Sequence, residues 1–208
     1  MTDVIDVSVR RAASAGAPVL VSVIVPLGPN EPEPDALLAL LPDVFEVLLA
    51  RGGTRASSMN EAASRASGLH LWFVHADTAM EPGAVTALLD QVKQPNAALH
   101  YFDLRFDDGG LMRITELGVW FRSRILGIPF GDQALCLPAE AFRSLGGYDE
   151  TVAQGEDHRL VRRARQAGLP LRPVGVAVFT SARKYRRQGW LRTTVRHLWL
   201  TARESLRR

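Results

Sequence analysis

The chain has 208 residues, 47% of them hydrophobic and 23% charged. That composition belongs to an ordinary soluble globular protein with ample length for a core, and it excludes a disordered or fibrous chain. A formal net charge of +3 conceals an uneven distribution: Arg183 to Arg208 hold nine Lys/Arg against one acid, leaving 16 basic and 21 acidic residues at positions 1–182.

No apolar run reaches the roughly 18–20 residues that span a bilayer, and the N-terminus lacks the basic-then-apolar order of a secretory signal. The single cysteine, Cys136, excludes an intramolecular disulfide framework and fits a reducing cytoplasm. Its setting, "ALCLPA", reads as a buried thiol rather than a nucleophile.

In chain order, residues 1–16 read as a flexible leader, or at most an edge strand at Val4–Val9. Val19–Pro26, "VLVSVIVP", is a continuous β-branched run of the kind a parallel sheet buries on both faces. A loop, "LGPNEPEP", leads to a short helix at Asp35–Leu41 and a second strand at Phe45–Ala50. A small-residue helix follows at Ser57–Ser67, then a third strand at Leu69–Val74 and a helix at Gly83–Lys93.

A strand at Ala97–Arg105 precedes a helix at Leu111–Ile125. The remainder is less regular: a loop and short strand over 127–138, a short helix, a helix at Glu156–Ala167, a strand at Leu171–Thr180 and a basic terminal helix. Alternating strands and helices predict a mostly parallel α/β sheet flanked by helices, with a less regular second half. Residues 17–208 are expected to form a single domain.

In such sheets ligands bind beyond the carboxyl ends of the strands. Pro26–Glu31, Arg51–Arg55 and His75–Asp77 all follow strand ends, so they are expected on one rim. A dinucleotide-binding Gly-x-Gly-x-x-Gly, a Gly-Lys-Ser/Thr phosphate loop and a Gly-x-Ser-x-Gly elbow are all absent. The five histidines show no zinc-site spacing.

What remains is a carboxylate at a strand tip, the pair Glu156-Asp157 opening a helix, and several arginines. Each acid is also a good helix cap or dipole partner. The set equally suits sugar transfer from a nucleotide diphosphate. A leaving diphosphate needs a cation or arginines, and an attacking hydroxyl needs a carboxylate base.

Seven stretches occur in order: "VSVIVPLGPNE", "TRASSMNEAASRASG", "WFVHADT", "FRSRILGIPFGDQALCL", "FRSLGGYDE", "GEDHRLVRRARQAG" and "TSARKYRRQGWLRTT". Together they resemble a bacterial branch of glycosyltransferase family two, over about residues 20–195. The resemblance implies a GT-A fold, with a donor side at about 17–110, an acceptor side at about 111–182 and a basic terminal helix at 183–208. It implies a donor pocket drawing on Pro26, Asn30, Glu31, Arg55, Asn60, His75 and Asp77, with Arg183 and Lys184 folding over the diphosphate.

Asp77 would be the ligand of a divalent cation, Mg2+ or Mn2+, and His75 either a further ligand, a donor contact or an ordinary rim histidine. Gly131, Asp132 and Gln133 match a loop near acceptor and donor sugar. Asp157 matches the general base, supported by Glu156. The implied activity is an inverting, metal-assisted transfer from a nucleotide-diphosphate sugar to a hydroxyl acceptor.

The chain departs from its relatives after the second strand. "VLLARGGTRASSMN" runs straight on, with Arg51 where an acid is expected and a strand–helix unit missing. The alternative function is therefore a non-catalytic or weakly active nucleotide- or anionic-surface-binding protein on the same scaffold. The terminal helix carries Trp190, Leu191, Val195, Leu198 and Trp199 among arginines, a pattern for packing on the domain or for lying on an anionic lipid surface. The resemblance also implies acceptors that are often lipid-linked, and with them peripheral membrane contact; the expected location is cytoplasmic, at the inner face of the membrane under the second option. A nucleic-acid partner is disfavoured by the acidic body.

Overall fold

The computed structural model describes residues 4–11, 18–107, 110, 112–152 and 154–180. The strands are β1 (Asp6–Arg11), β2 (Val21–Leu27), β3 (Glu46–Arg51), β4 (His70–Phe73), β5 (Ala79–Met80), β6 (Leu99–Phe106), β7 (Cys136–Pro138) and β8 (Leu171–Thr180). The helices are α1 (Asp35–Leu40), α2 (Arg55–Arg65), α3 (Ala84–Val92), α4 (Met112–Arg124), α5 (Ala139–Ser144) and α6 (Glu156–Gln166).

All eight strands form one sheet in the order β1-β3-β2-β4-β7-β6-β8-β5. Its core blocks, β3-β2-β4 and β6-β8, are parallel. β7 is an antiparallel seam between them, and β1 and β5 close the edges antiparallel. The architecture is the expected mixed α/β one.

Both faces of the sheet are covered. Val21, Val23 and Val25 of β2 point to a cluster with Leu37 of α1, Leu88 of α3, Trp72 and Phe102. Ile24, between them, points the other way, to Met59 of α2, Phe142 of α5 and Leu160 of α6. This two-residue alternation over a run that is buried on both faces, and apolar apart from Ser22, is what a doubly covered strand requires. Trp72 stacks on Phe102 with centroids 5.6 Å apart and donates its indole N–H to the carbonyl of Ala134 at 3.1 Å, so the middle strand is anchored to the loop before β7.

Two expectations shift. Within the stretch expected as a leader, Asp6–Arg11 form β1, the edge-strand option, paired from Asp6↔Arg51 to Arg11↔Val47. Val7 is buried, whereas Val9, on the same face two residues on, is exposed, so the core covers that face of this edge strand only at its start. Helix α2 begins two residues earlier than expected because Thr54 caps it. Its hydroxyl accepts from the Ser57 N–H at 3.1 Å while the Ser57 hydroxyl accepts from the Thr54 N–H at 2.9 Å. That start places Arg55 in the first turn, at the carboxyl end of β3.

At the opposite end of the sheet, the buried Glu46 carboxylate accepts from the hydroxyl and N–H of Ser67 at 2.9 and 2.8 Å and from the Ser22 hydroxyl. A side chain at Gly68 would meet the Ser22 nitrogen at 2.5 Å, so the end of α2 closes on β2 only through glycine. The basic helix expected over 183–208, with Arg183 and Lys184, lies outside the described residues. Among the described residues, no helix is long and apolar enough to cross a membrane.

Candidate active site

Strands β2, β3 and β4 run parallel, so their carboxyl ends open on one side. There they surround a cleft of about 380 Å³, lined by Pro26–Pro29, Glu31, Gly52–Arg55, Ser58 and His75–Asp77. The turn after β2 is tied at both ends. Glu31 accepts from the Gly28 N–H at 2.9 Å, and Arg51 donates to the Gly28 carbonyl at 3.0 Å. Arg51 thus braces the cleft wall. Asn30 is exposed and does not line the cleft.

Beyond β4 the chain turns, with the Thr78 N–H donating to the His75 carbonyl at 3.1 Å. His75 is half-buried and Asp77 exposed on the cleft. Arg55 donates through its Nη2 to Nε2 of His75. Burial, with the Arg55 guanidinium adding to it and Asp157 opposing, lowers the imidazole to about 3. His75 is therefore a neutral acceptor at physiological pH, with its Nε2 lone pair committed to Arg55.

The other wall comes from the second half of the chain. Arg55 Nε lies 3.6 Å from Oε1 of Glu156, the first residue of α6. Asp157 accepts from the Gly131 N–H through Oδ2 at 2.5 Å and from the His158 N–H through Oδ1 at 2.8 Å. Burial by itself would raise this carboxyl. His158, Arg55 and the two backbone N–H groups outweigh it and hold it below the ordinary carboxylate range. Asp157 is consequently ionised at neutral pH. Arg55 thus links the strand tip carrying His75 to the acidic pair of α6.

The Gly131–Gln133 turn divides its labour. Gly131 lets Arg55 and Asp157 close on the turn: a Cβ there would sit 2.9 Å from Arg55 Nη2 and 3.0 Å from Asp157 Oδ2, so both side chains would have to shift. Asp132 is raised by burial, against the pull of Arg122, and its Oδ1 is buried without a hydrogen-bond partner. Gln133 faces inward. It accepts from the Phe130 N–H at 3.2 Å and from Arg122 at 3.1 Å, and donates to the Phe102 carbonyl at 2.8 Å. Its part is to hold the turn to β6.

Asn60 also lies away from the cleft lining. Its amide accepts from the Tyr148 N–H at 2.8 Å and donates to the Tyr148 carbonyl at 2.9 Å and to Glu150 at 2.7 Å. It clamps the "GGYDE" loop to α2. That loop is also gripped from α6, where Arg159 pairs with Asp149 and Arg163 donates to the carbonyls of Leu145, at 2.7 Å, and Gly147. These ties orient the start of α6 and hence Asp157.

Sequence reasoning did not single out the stack beneath the acidic pair. The Arg122 guanidinium lies 3.1 Å from the Phe130 ring centroid, and Phe130 stacks on His158 at 3.7 Å. The adjacency of His158 to Asp157 was the available signal. Arg122 and Phe130 lie in the stretch that carries Gly131–Gln133, but nothing in it showed that they stack on His158.

Among the described residues, no three His, Cys, Asp or Glu side chains gather into a metal cage. Two exposed carboxylates, Glu31 and Asp77, line the cleft; Glu31 is engaged with the Gly28 N–H, and the other still fits a hard cation. Mg2+ in particular is commonly held by one or two carboxylates, with substrate phosphates and water completing its shell. Asp77 is the residue that fits this role; His75, engaged with Arg55, does not add a free nitrogen.

Solved structures share this fold at low sequence identity. S. aureus TarS matches with a TM-score of 0.61 at 14% identity, over 78% of this chain and 36% of its own. TarS 1–349 in complex with UDP-GlcNAc matches with 0.60 at 12%, over 78% and 58%. The mannosyltransferase PcManGT from Pyrobaculum calidifontis, in complex with GDP-Man and Mn2+, matches with 0.53 at 16%, over 82% and 59%. The chain therefore spans only 36 to 60% of the length of these structures. No family model and no curated protein matches it.

Proposed function

We propose that the protein is a glycosyltransferase that moves a sugar, with inversion, from a nucleotide-diphosphate sugar to a hydroxyl acceptor. The observation that carries this reading is the placement of Arg55. It ties the strand-end cleft at His75 to Glu156 on the facing helix, next to the ionised Asp157. Two proteins of the same fold support it, since their structures hold UDP-GlcNAc and GDP-Man.

In this scheme the donor diphosphate lies in the cleft lined by Pro26–Pro29, Gly52–Arg55 and Asp77. The acceptor oxygen attacks the anomeric carbon from the side of Asp157. As the new C–O bond forms, the bond to the diphosphate oxygen breaks, and the nucleoside diphosphate leaves with that electron pair. The hydroxyl proton passes to the Asp157 carboxylate. Gly131 and His158 hold that carboxylate in one orientation through their N–H groups, so no reorganisation accompanies the transfer.

Arg55 offers positive charge beside the leaving group, and neutral His75 keeps the guanidinium aimed. A divalent cation on Asp77, when bound, would offset diphosphate charge.

Asp157→Asn keeps the shape of the side chain and removes the base. Transfer should fall about 10²–10⁴-fold, the usual worth of a general base, with donor affinity nearly unchanged. Radiolabel transfer and donor calorimetry, across uridine- and guanosine-diphosphate sugars with Mg2+ or Mn2+, measure the two separately. Equal loss of binding and turnover overturns the assignment of Asp157. Donor binding without turnover in the unmodified chain would favour a binding protein on the same scaffold.

A further inference from the structure

We propose that helix α4 seats the protein on an anionic lipid bilayer. The inward face of this helix is fully used. Met112 and Val119 join the core, Glu116 accepts from the Phe106 N–H at 2.9 Å, and the Ser123 carbonyl accepts from the Tyr101 hydroxyl at 3.2 Å. A surface helix with that face buried should be polar on the other. Instead Ile114, Leu117 and Phe121, spaced i, i+3 and i+7, form a second apolar stripe. Ile125 and Leu126 extend it past the helix end, and Trp120 lies alongside. These six side chains are 41 to 65% exposed. A contiguous exposed patch of this kind marks an interaction surface.

The charges around the patch select its partner. Residues 112–126 carry three arginines and one glutamate, but Arg122 is buried against Phe130 and Arg124 pairs with Asp103. That glutamate, Glu116, is turned in to Phe106, whereas Arg113 is exposed. On an ideal helix Arg113 falls within the same arc as Trp120 and Leu117. Large apolar side chains, a tryptophan at the margin and an arginine within reach of headgroups are the features of a helix lying in an anionic interface.

The topology adds a second source of cations. Thr180 at the end of β8 is in register with Phe106 at the end of β6, the strand that leads into α4. The stretch with nine Lys/Arg against one acid therefore departs from the same end of the sheet. Acidic lipid complements the sequence charge of that stretch and the exposed Arg113.

The full-length chain sedimented with vesicles of phosphatidylcholine, with and without phosphatidylglycerol, gives the test. Binding is expected to require the anionic lipid and to weaken with salt. L117E/F121E should reduce it about tenfold or more while the melting temperature and donor hydrolysis stay at the wild-type level. L117A/F121A, which adds no charge, should give a smaller loss of the same sign.

In W190F/W199F, where Trp72 is buried, brominated lipid should quench Trp120. No binding to anionic vesicles, or binding indifferent to these α4 changes, overturns the proposal. So does Trp120 already shielded from quencher without lipid, which means the chain covers itself. A dimer dispersed by L117E/F121E assigns the face to a second copy instead. The donor-hydrolysis readout keeps this result separate from that of the transferase reading.

Discussion

Arg55 contacts His75 with one end of its guanidinium and approaches Glu156 with another, so a small displacement on either side is felt by both. Gly131 controls that spacing. A methyl group there would press on the tips of Arg55 and Asp157, at 2.9 and 3.0 Å, and touch the Asp157 Cβ at 3.4 Å. Both tips can move, so Gly131→Ala should fold with a melting temperature close to wild type. The displaced carboxylate and guanidinium should nevertheless lower kcat about tenfold or more. Steady-state kinetics beside a thermal melt measures both, and unchanged kcat would contradict the geometry.

Arg55, His75, Glu156 and Asp157 were legible because charged or polar residues stood at strand tips or helix starts. The distinct parts of Gly131, Asp132 and Gln133 were not. Whether a side chain of that turn points to the carboxylate or to β6 depends on contacts with residues about thirty positions away.

The helices of the site are held by polar ties that periodicity does not reveal. α2 was legible as a small-residue helix, yet its true start follows from the Thr54–Ser57 reciprocal bonds, which move Arg55 into its first turn. Likewise, β1 was legible only as an option at Val4–Val9, and the two-residue β5 is visible only once β8 offers it an unpaired edge.

Asn60 shows the same limit, because its partner Tyr148 is 88 residues away. The amide satisfies both the N–H and the carbonyl of one residue. Asn60→Ala should therefore cost about 2 kcal/mol of stability, the order expected when backbone groups lose their partners. A urea midpoint at lower concentration with donor affinity retained is the expected result. Lost donor affinity at full stability would place Asn60 in the donor pocket after all.

The molecule as a whole should be acid-sensitive through its histidines. Burial, with His70 and Arg172 adding to it, lowers His100 from 6.5 to about 4. Burial also lowers His70, partly offset by its bond to Leu20. In the unfolded chain these imidazoles bind protons near 6.5, where the folded protein refuses them. The stability this represents is therefore complete above 6.5 and is lost as pH falls through the window down to about 4. His100→Gln should flatten the decline by on the order of 2 kcal/mol between about pH 7 and pH 4, read from urea unfolding. Superimposable pH curves for the two proteins would refute it.

The sheet order also has a temporal reading. β1, β3, β2 and β4 are adjacent in the sheet and all lie within residues 6–73. Synthesis proceeds from the N-terminus at about 5–20 residues per second, and segments that can fold early do so. These strands can pair while the ribosome is still making the rest, leaving one flank of β4 open. β7, which closes that flank, and Asp157 emerge only afterwards. The nascent chain thus raises the wall that would hold the donor before it has made the carboxylate that would use it.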